Sequence, residues 1–160
     1  KKIKLKFHKK NMLENNLFLV YSKIQRTAEV IAKSFVNNLS EKKFKEMEEI
    51  NGIVKEAKLE LKSNNISNFG KLLHESWLVK RNLSQKVSNN KNDELYNFGL
   101  EAGAEGGKLL GAGGGGFFVF YVKKNKQKIF KKKMKKTLIL PFKFDENGSE
   151  IIVNTNSNNN

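Results

Sequence analysis

GGKLLGAGGGGFFVFYV, residues Gly106–Val122, decides how the rest of the chain is read. Five of the six residues from Gly111 to Gly116 are glycine, and the chain then turns continuously apolar and aromatic. Glycine loses more freedom on ordering than any other residue, so a dense run implies a close approach by ligand or backbone. The run formally satisfies G-x-G-x-x-G, but a phosphate-binding glycine loop must open a helix, whose N-terminus supplies the N–H groups and the positive dipole. Here the next residues are Phe117, Phe118, Val119, Phe120 and Tyr121, which favour a strand. A Gly-Lys-Ser/Thr ending is also absent. Two readings stay open. The glycines permit positive φ and let a neighbouring element press on bare backbone, or successive N–H groups form an anion-holding concavity.

Outward from this stretch the periodicity alternates between two and three to four. Lys2–Phe7 reads as a half-buried strand and Asn15–Ser22 as a second, more buried one. From Ile24 the spacing of Ile24, Ala28, Ile31, Phe35 and Leu39 is helical. Ser40 opens another helix through Met47, Ile50, Val54 and Leu61, interrupted at Asn51-Gly52. Ser67 is expected to cap a helix with Phe69, Leu72, Leu73, Ser76 and Lys80 on one face and Trp77, a core residue, beside it. A short helix is predicted from Asp93 to Ala104 with Leu95, Phe98 and Ala102 inward, Asp93 and Glu94 favouring its start. The strand Phe117–Val122 precedes a basic amphipathic helix, KNKQKIFKKKMKKTL, ended by Pro141. PFKF (Pro141–Phe144) and EIIV (Glu150–Val153), turning at Gly148, suggest a closing hairpin. Mixed strands and helices of this kind predict an α+β fold.

The 160 residues suffice for one domain with a core, and 38% hydrophobic content with 12 Phe argues against wholesale disorder. With no cysteine there is no disulfide framework or thiolate chemistry, which is compatible with the cytoplasm. No apolar run approaches the ~20 residues of a membrane span. Lys and Arg number 31 against 16 Asp and Glu, a net charge of +15. Most of the excess is Lys, spread among frequent Asn, and reads as compositional drift. The alternative is a nucleic-acid-binding module around Lys123–Lys136, for which Arg and interleaved aromatics are sparse. Either way the charge favours anionic ligands.

Gly106–Val122 closely resembles the C-terminal signature of the GHMP small-molecule kinases. LFLVYSKIQRTAEVIA (Leu17–Ala32), LHESWLVKRNLSQKVSN (Leu73–Asn89), Asp93–Val122 and PFKFDENGSEII (Pro141–Ile152) follow in the order typical of bacterial D-glycero-D-manno-heptose 7-phosphate kinases. The resemblance implies helices packed in ferredoxin-like fashion on a mainly antiparallel sheet. It also implies ATP-dependent phosphorylation of a sugar phosphate at its anomeric hydroxyl, with Mg2+ accompanying ATP. Family members are about twice as long, and their first half holds the nucleotide loop and the aspartate associated with catalysis. Neither motif is present. The chain therefore reads as a C-terminal half, inactive alone, whose partner is the missing N-terminal half; a non-catalytic remnant is the further alternative. Residues 1–22 are expected to be strands joining that missing domain, 23–153 the C-terminal domain, and 154–160 a disordered tail.

No catalytic residue is assigned. Gly111, Ala112, Gly113, Gly114, Gly115 and Gly116 are candidates to support the phosphate loop. Substrate contacts are assigned to Arg26, Ser76 and Lys80, because phosphoryl transfer asks mainly for positioning and charge neutralisation. Lys80 lies on the apolar face of its helix with Ser76 one turn away, so its stem either snorkels or reaches into a cleft. Arg26 falls in the first turn of a predicted helix, opposing the dipole, where a bound anion would offset the conflict. His74 reads as a surface residue without an orienting carboxylate. His8 and His74 make no metal cluster.

Overall fold

The computed structural model describes residues 3–25, 29, 33, 41–63, 66–145 and 150. Helix α1 (Phe7–Asn16) leads into strand β1 (Leu17–Tyr21). Helices α2 (Glu41–Lys62), α3 (Phe69–Asn82) and α4 (Asn90–Glu101) follow. Strands β2 (Gly106–Leu109) and β3 (Phe117–Tyr121) flank the glycine run. A 3-10 turn (Lys124–Lys126), helix α5 (Gln127–Lys133) and strand β4 (Ile139–Pro141) follow. The sheet order is β2-β3-β1-β4 and every pairing is antiparallel. The class is α+β: among the described residues, helices α1–α5 accompany a four-stranded antiparallel sheet.

Both faces of the sheet are covered, which is why FFVFY is apolar without alternation. Phe18, Val20, Phe118 and Phe120 point to one cluster, completed by Trp77, Tyr96, Phe130 and Met134. Leu17, Val119 and Tyr121 point to the other, with Leu13 and Ile66. Helix α3 serves both, giving Trp77 to the first and Phe69 and Leu73 to the second. Trp77 is fully buried, as expected, and stands edge-on to Phe118 at 5.6 Å. Residues this large each contribute roughly 1.5–3 kcal/mol by leaving water. Helix α3 reaches β2 backbone to backbone: a Cβ on Gly106 would run into the Gly70 carbonyl.

Several expected elements differ. Residues 3–6 are irregular and Phe7–Asn16 is helical, so the described part of the expected strand Lys2–Phe7 is not a strand. The alternation of KIKLKF is misleading because Phe7 is exposed, and α1 is held by long-range contacts such as the Lys9 Nζ bond to the Leu61 carbonyl at 3.1 Å. β1 lies inside this sheet, between β3 and β4. Helix α2 runs through Asn51-Gly52 without a break. The cap position of α3 belongs to Asn68, one residue beyond Ser67. Helix α4 starts at Asn90 and turns Asn92, Tyr96 and Gly99 inward, leaving Phe98 exposed, because Gly99 lets the helix lie on the Phe120 ring. The basic helix is only Gln127–Lys133, and Pro141 is a residue of β4 rather than a helix stop. Glu29 and Lys33 are helical and paired at 2.7 Å. Most of that segment, most of the Glu150–Val153 half of the closing hairpin, and residues 154–160 lie outside the described residues.

Candidate functional site

The loop Gly111–Gly116 joins β2 to β3, and its conformation explains its composition. Four positions are left-handed: Gly111 (φ 66°), Gly113 (110°), Gly114 (78°) and Gly116 (98°). A side chain at Gly113 would meet the Val87 carbonyl at 2.8 Å, and one at Gly115 would collide with the backbone of Ile24. Hydrogen bonds lace the loop to the same two segments. The Gly114 N–H donates to the Val87 carbonyl at 2.7 Å, and the Gly116 N–H to the Ile24 carbonyl at 2.8 Å. Lys23, with φ 59°, makes the turn that brings Ile24 there. The close approach is therefore first to the chain's own backbone. The N–H groups of Gly114 and Gly116 are occupied, so they add nothing to an anion concavity. Gly111 and Gly116 face open space where a Cβ would stand, and Ala112 packs on the core.

The segment on which the loop rests is itself fixed. Asn89 caps α4 by accepting from the Asn92 N–H at 3.0 Å, while its amide donates to the Gly114 carbonyl at 3.3 Å. Asp93, in the first turn of α4 as expected, accepts from Arg81 at 2.8 Å and from the Ser88 hydroxyl at 2.6 Å. An open cleft of about 1070 Å3 lies beside this network, lined by Ile24, Arg81, Asn82, Ser88, Asn89 and Lys91 among others. Ile24 and Asn89 connect its wall to the loop.

Ser76 and Lys80 come together at the base of the loop rather than in that cleft. The Lys80 ammonium donates to the carbonyls of Leu109 at 3.2 Å and Gly111 at 2.5 Å. Ser76 is buried, and its hydroxyl accepts from Lys108 Nζ at 2.9 Å. Burial lowers the Lys80 pKa to about 8, and the charge of Lys108 adds to the fall. Lys108 is lowered by burial as well. The sequence reading missed Lys108; its signal was a lone cation in a strand otherwise made of glycine and leucine. Arg81 was also missed. Arg26 lies outside the described residues. His74 is not a surface residue: it is half-buried, its Nδ1 lies 2.7 Å from the Tyr96 hydroxyl, and the two rings stack. Tyr96 is buried, and desolvation raises its pKa to about 12.

Among the described residues no group of three or more His, Asp or Glu is placed to hold a metal ion. No helix among them is long and apolar enough to cross a membrane.

Residues 57–140 match the family described as GHMP kinases C terminal. No curated relative matches the chain. Among solved structures, the mevalonate kinase of Methanococcus jannaschii is 30% identical, with TM-score 0.69, over 88% of this chain and 43% of its own. A D-glycero-D-manno-heptose 1-phosphate kinase from B. thetaiotaomicron shares the fold at 20% identity and TM-score 0.59, over 90% and 37%. So does Streptococcus pneumoniae phosphomevalonate kinase, determined with phosphomevalonate and AMPPNP, at 12% identity and TM-score 0.62, over 79% and 39%. The chain thus spans about two-fifths of the length of these solved structures.

Proposed function

This chain belongs to the C-terminal family of the GHMP kinases, and from that premise we propose that it is the acceptor-side half of an ATP-dependent sugar kinase. Its partner in the reading is an N-terminal half carrying the nucleotide loop. The acceptor is a sugar phosphate, D-glycero-D-manno-heptose 7-phosphate, phosphorylated at its anomeric hydroxyl on the route to nucleotide-activated heptose. The blocks Leu73–Asn89 and Asp93–Val122 favour that acceptor. The observation that carries the reading is the braced glycine loop, with open space at the Cβ positions of Gly111 and Gly116 and the cations Lys80 and Lys108 at its base.

ATP, with Mg2+, supplies the transferred phosphoryl group. The residues present meet part of what that chemistry needs. Two lysines and bare backbone suit phosphate oxygens, whereas the described residues offer no carboxylate cluster for the metal. This half orients and neutralises. Lys80 fixes the strand-to-loop junction through the Leu109 and Gly111 carbonyls and keeps one N–H for an anion. Ser76 aims Lys108, and Arg26 stays a candidate for contact with the acceptor. Positioning and charge neutralisation of this kind are most of what phosphoryl transfer requires.

Co-expression with an N-terminal half from a heptose 7-phosphate kinase tests the reading. The chain alone should turn over no ATP, and the pair should phosphorylate the heptose phosphate in an ATP- and Mg2+-dependent way. Gly114→Val and Gly115→Val should each abolish that activity. Full activity in both variants would remove the loop from the mechanism. Identity of 30% to a mevalonate kinase makes mevalonate the second acceptor to assay.

A further inference from the structure

Among the described residues no carboxylate pairs with the two lysines at the base of the glycine loop. Lys80 comes from α3 and Lys108 from β2, and both are half-buried. Glu75 of the same helix pairs with Lys71 at 3.7 Å, and Asp93 pairs with Arg81 at 2.8 Å. Among the described residues the polar partners found for the pair are neutral: two backbone carbonyls for Lys80 and the Ser76 hydroxyl for Lys108. Withdrawing like charges from water side by side is unfavourable unless an opposite charge joins them. The half-buried pair therefore asks for an anion.

Donor counting narrows the anion. An ammonium has three N–H donors. Lys80 spends two on Leu109 and Gly111, and Lys108 spends one on Ser76, so three remain between them. Gly111, beside Lys80, leaves open space where a side chain would stand. A carboxylate would neutralise one charge. A phosphate monoester brings about two negative charges and three terminal oxygens, matching both counts.

We propose that Lys80 and Lys108, with Lys108 aimed by Ser76, form a binding site for a phosphate monoester. The site itself rests on this geometry. Its role, to hold the phosphate already present on the acceptor rather than one belonging to the nucleotide, rests on the kinase reading above.

The test uses the whole 160-residue chain with inorganic phosphate as the probe, at matched ionic strength against chloride. Lysine side-chain NMR should show saturable shifts confined to Lys80 and Lys108, with both amines titrating at higher pH when phosphate is bound. Lys80→Met and Lys108→Met should each weaken phosphate binding at least tenfold, while Lys128→Met, on the exposed face of α5, should leave it unchanged. The NMR titration of the unsubstituted chain decides the matter even if a variant misfolds. Equal shifts across many lysines, the absence of saturation, or the same loss in Lys128→Met would overturn the site. Displacement of phosphate by glucose 6-phosphate but not by AMP would support the acceptor role, and the reverse would overturn that role. A site that binds phosphate in a chain that never reconstitutes a kinase would stand while the kinase reading falls.

Discussion

Lys80 keeps its charge where the surroundings resist it, and that has a measurable signature. The ordinary lysine pKa is 10.5; burial, then the facing charge of Lys108, lowers it to about 8. Below pH ~8 the ammonium is charged in both folded and unfolded chains, and its desolvation weighs against the fold throughout. Between about 8 and 10.5 the unfolded chain still binds a proton that the folded chain has released, so this group makes stability rise with pH. Above that window the amine is neutral in both states and the burden is gone. Urea denaturation of the wild type against Lys80→Met should therefore show the wild type gaining ground from pH ~8 to ~10. A constant difference would mean that Lys80 titrates as an ordinary surface amine. Gly99 offers a purely steric counterpart. An added Cβ would lie 2.5 Å from the Phe120 ring, so Gly99→Ala should lose about 1–3 kcal/mol in the same assay. Unchanged stability would show that α4 lifts off β3 freely.

The working element is neither a helix nor a strand but the join between them. The end of α3, the turn Ser84–Asn89, the start of α4 and the glycine loop are tied into one unit through Arg81–Asp93, Ser88–Asp93 and Asn89–Gly114. Asn89 is its pivot, capping α4 and bonding the loop. Asn89→Ala should cost about 0.5–2 kcal/mol of stability through the lost cap. It should also speed hydrogen exchange at the Gly114 amide more than at Val119, in the middle of β3. Equal acceleration at both would report global destabilisation and no special hold on the loop. Elements with a clear period were legible in the sequence: α3, α2, and the strands β1 and β3, whose apolar runs fit a sheet covered on both sides. α1 was not, because FHKKNMLENN buries Leu13, Glu14 and Asn16 with no apolar stripe. Its helix is stabilised by distant partners, among them Lys143, which meets Glu14 at 2.9 Å. The glycine loop was legible as a place of close approach, but Val87 and Ile24 as the approaching groups required the fold.

At the scale of the molecule, the same distinction separates what residue order gives from what packing adds. Ser76 and Lys80 share a helix face and could be paired by counting, whereas Lys108 joins them only because Gly70 and Gly106 let α3 settle on β2. Charge, by contrast, is a property of the whole chain and was readable at once: +15 on 160 residues. The ion pairs do little against it, since most sit at the surface, where such pairs contribute ~0–1 kcal/mol. In the basic stretch some cations serve the fold locally: Lys133 bonds the Glu101 carbonyl at 2.8 Å, Lys131 lies over Phe18, and Lys123 pairs with Glu105. The remainder repel one another, and salt screens that repulsion beyond a Debye length, ~8–10 Å at 0.1–0.15 M. Raising sodium chloride from ~10 to ~150 mM should therefore increase the thermal midpoint. Phosphate at equal ionic strength should add a further increase that saturates, because screening is graded whereas filling a site is not. Scanning calorimetry across both salts separates the two effects. A midpoint that stays flat or falls in chloride would show that attraction between the few opposite charges outweighs the repulsion among the many like ones.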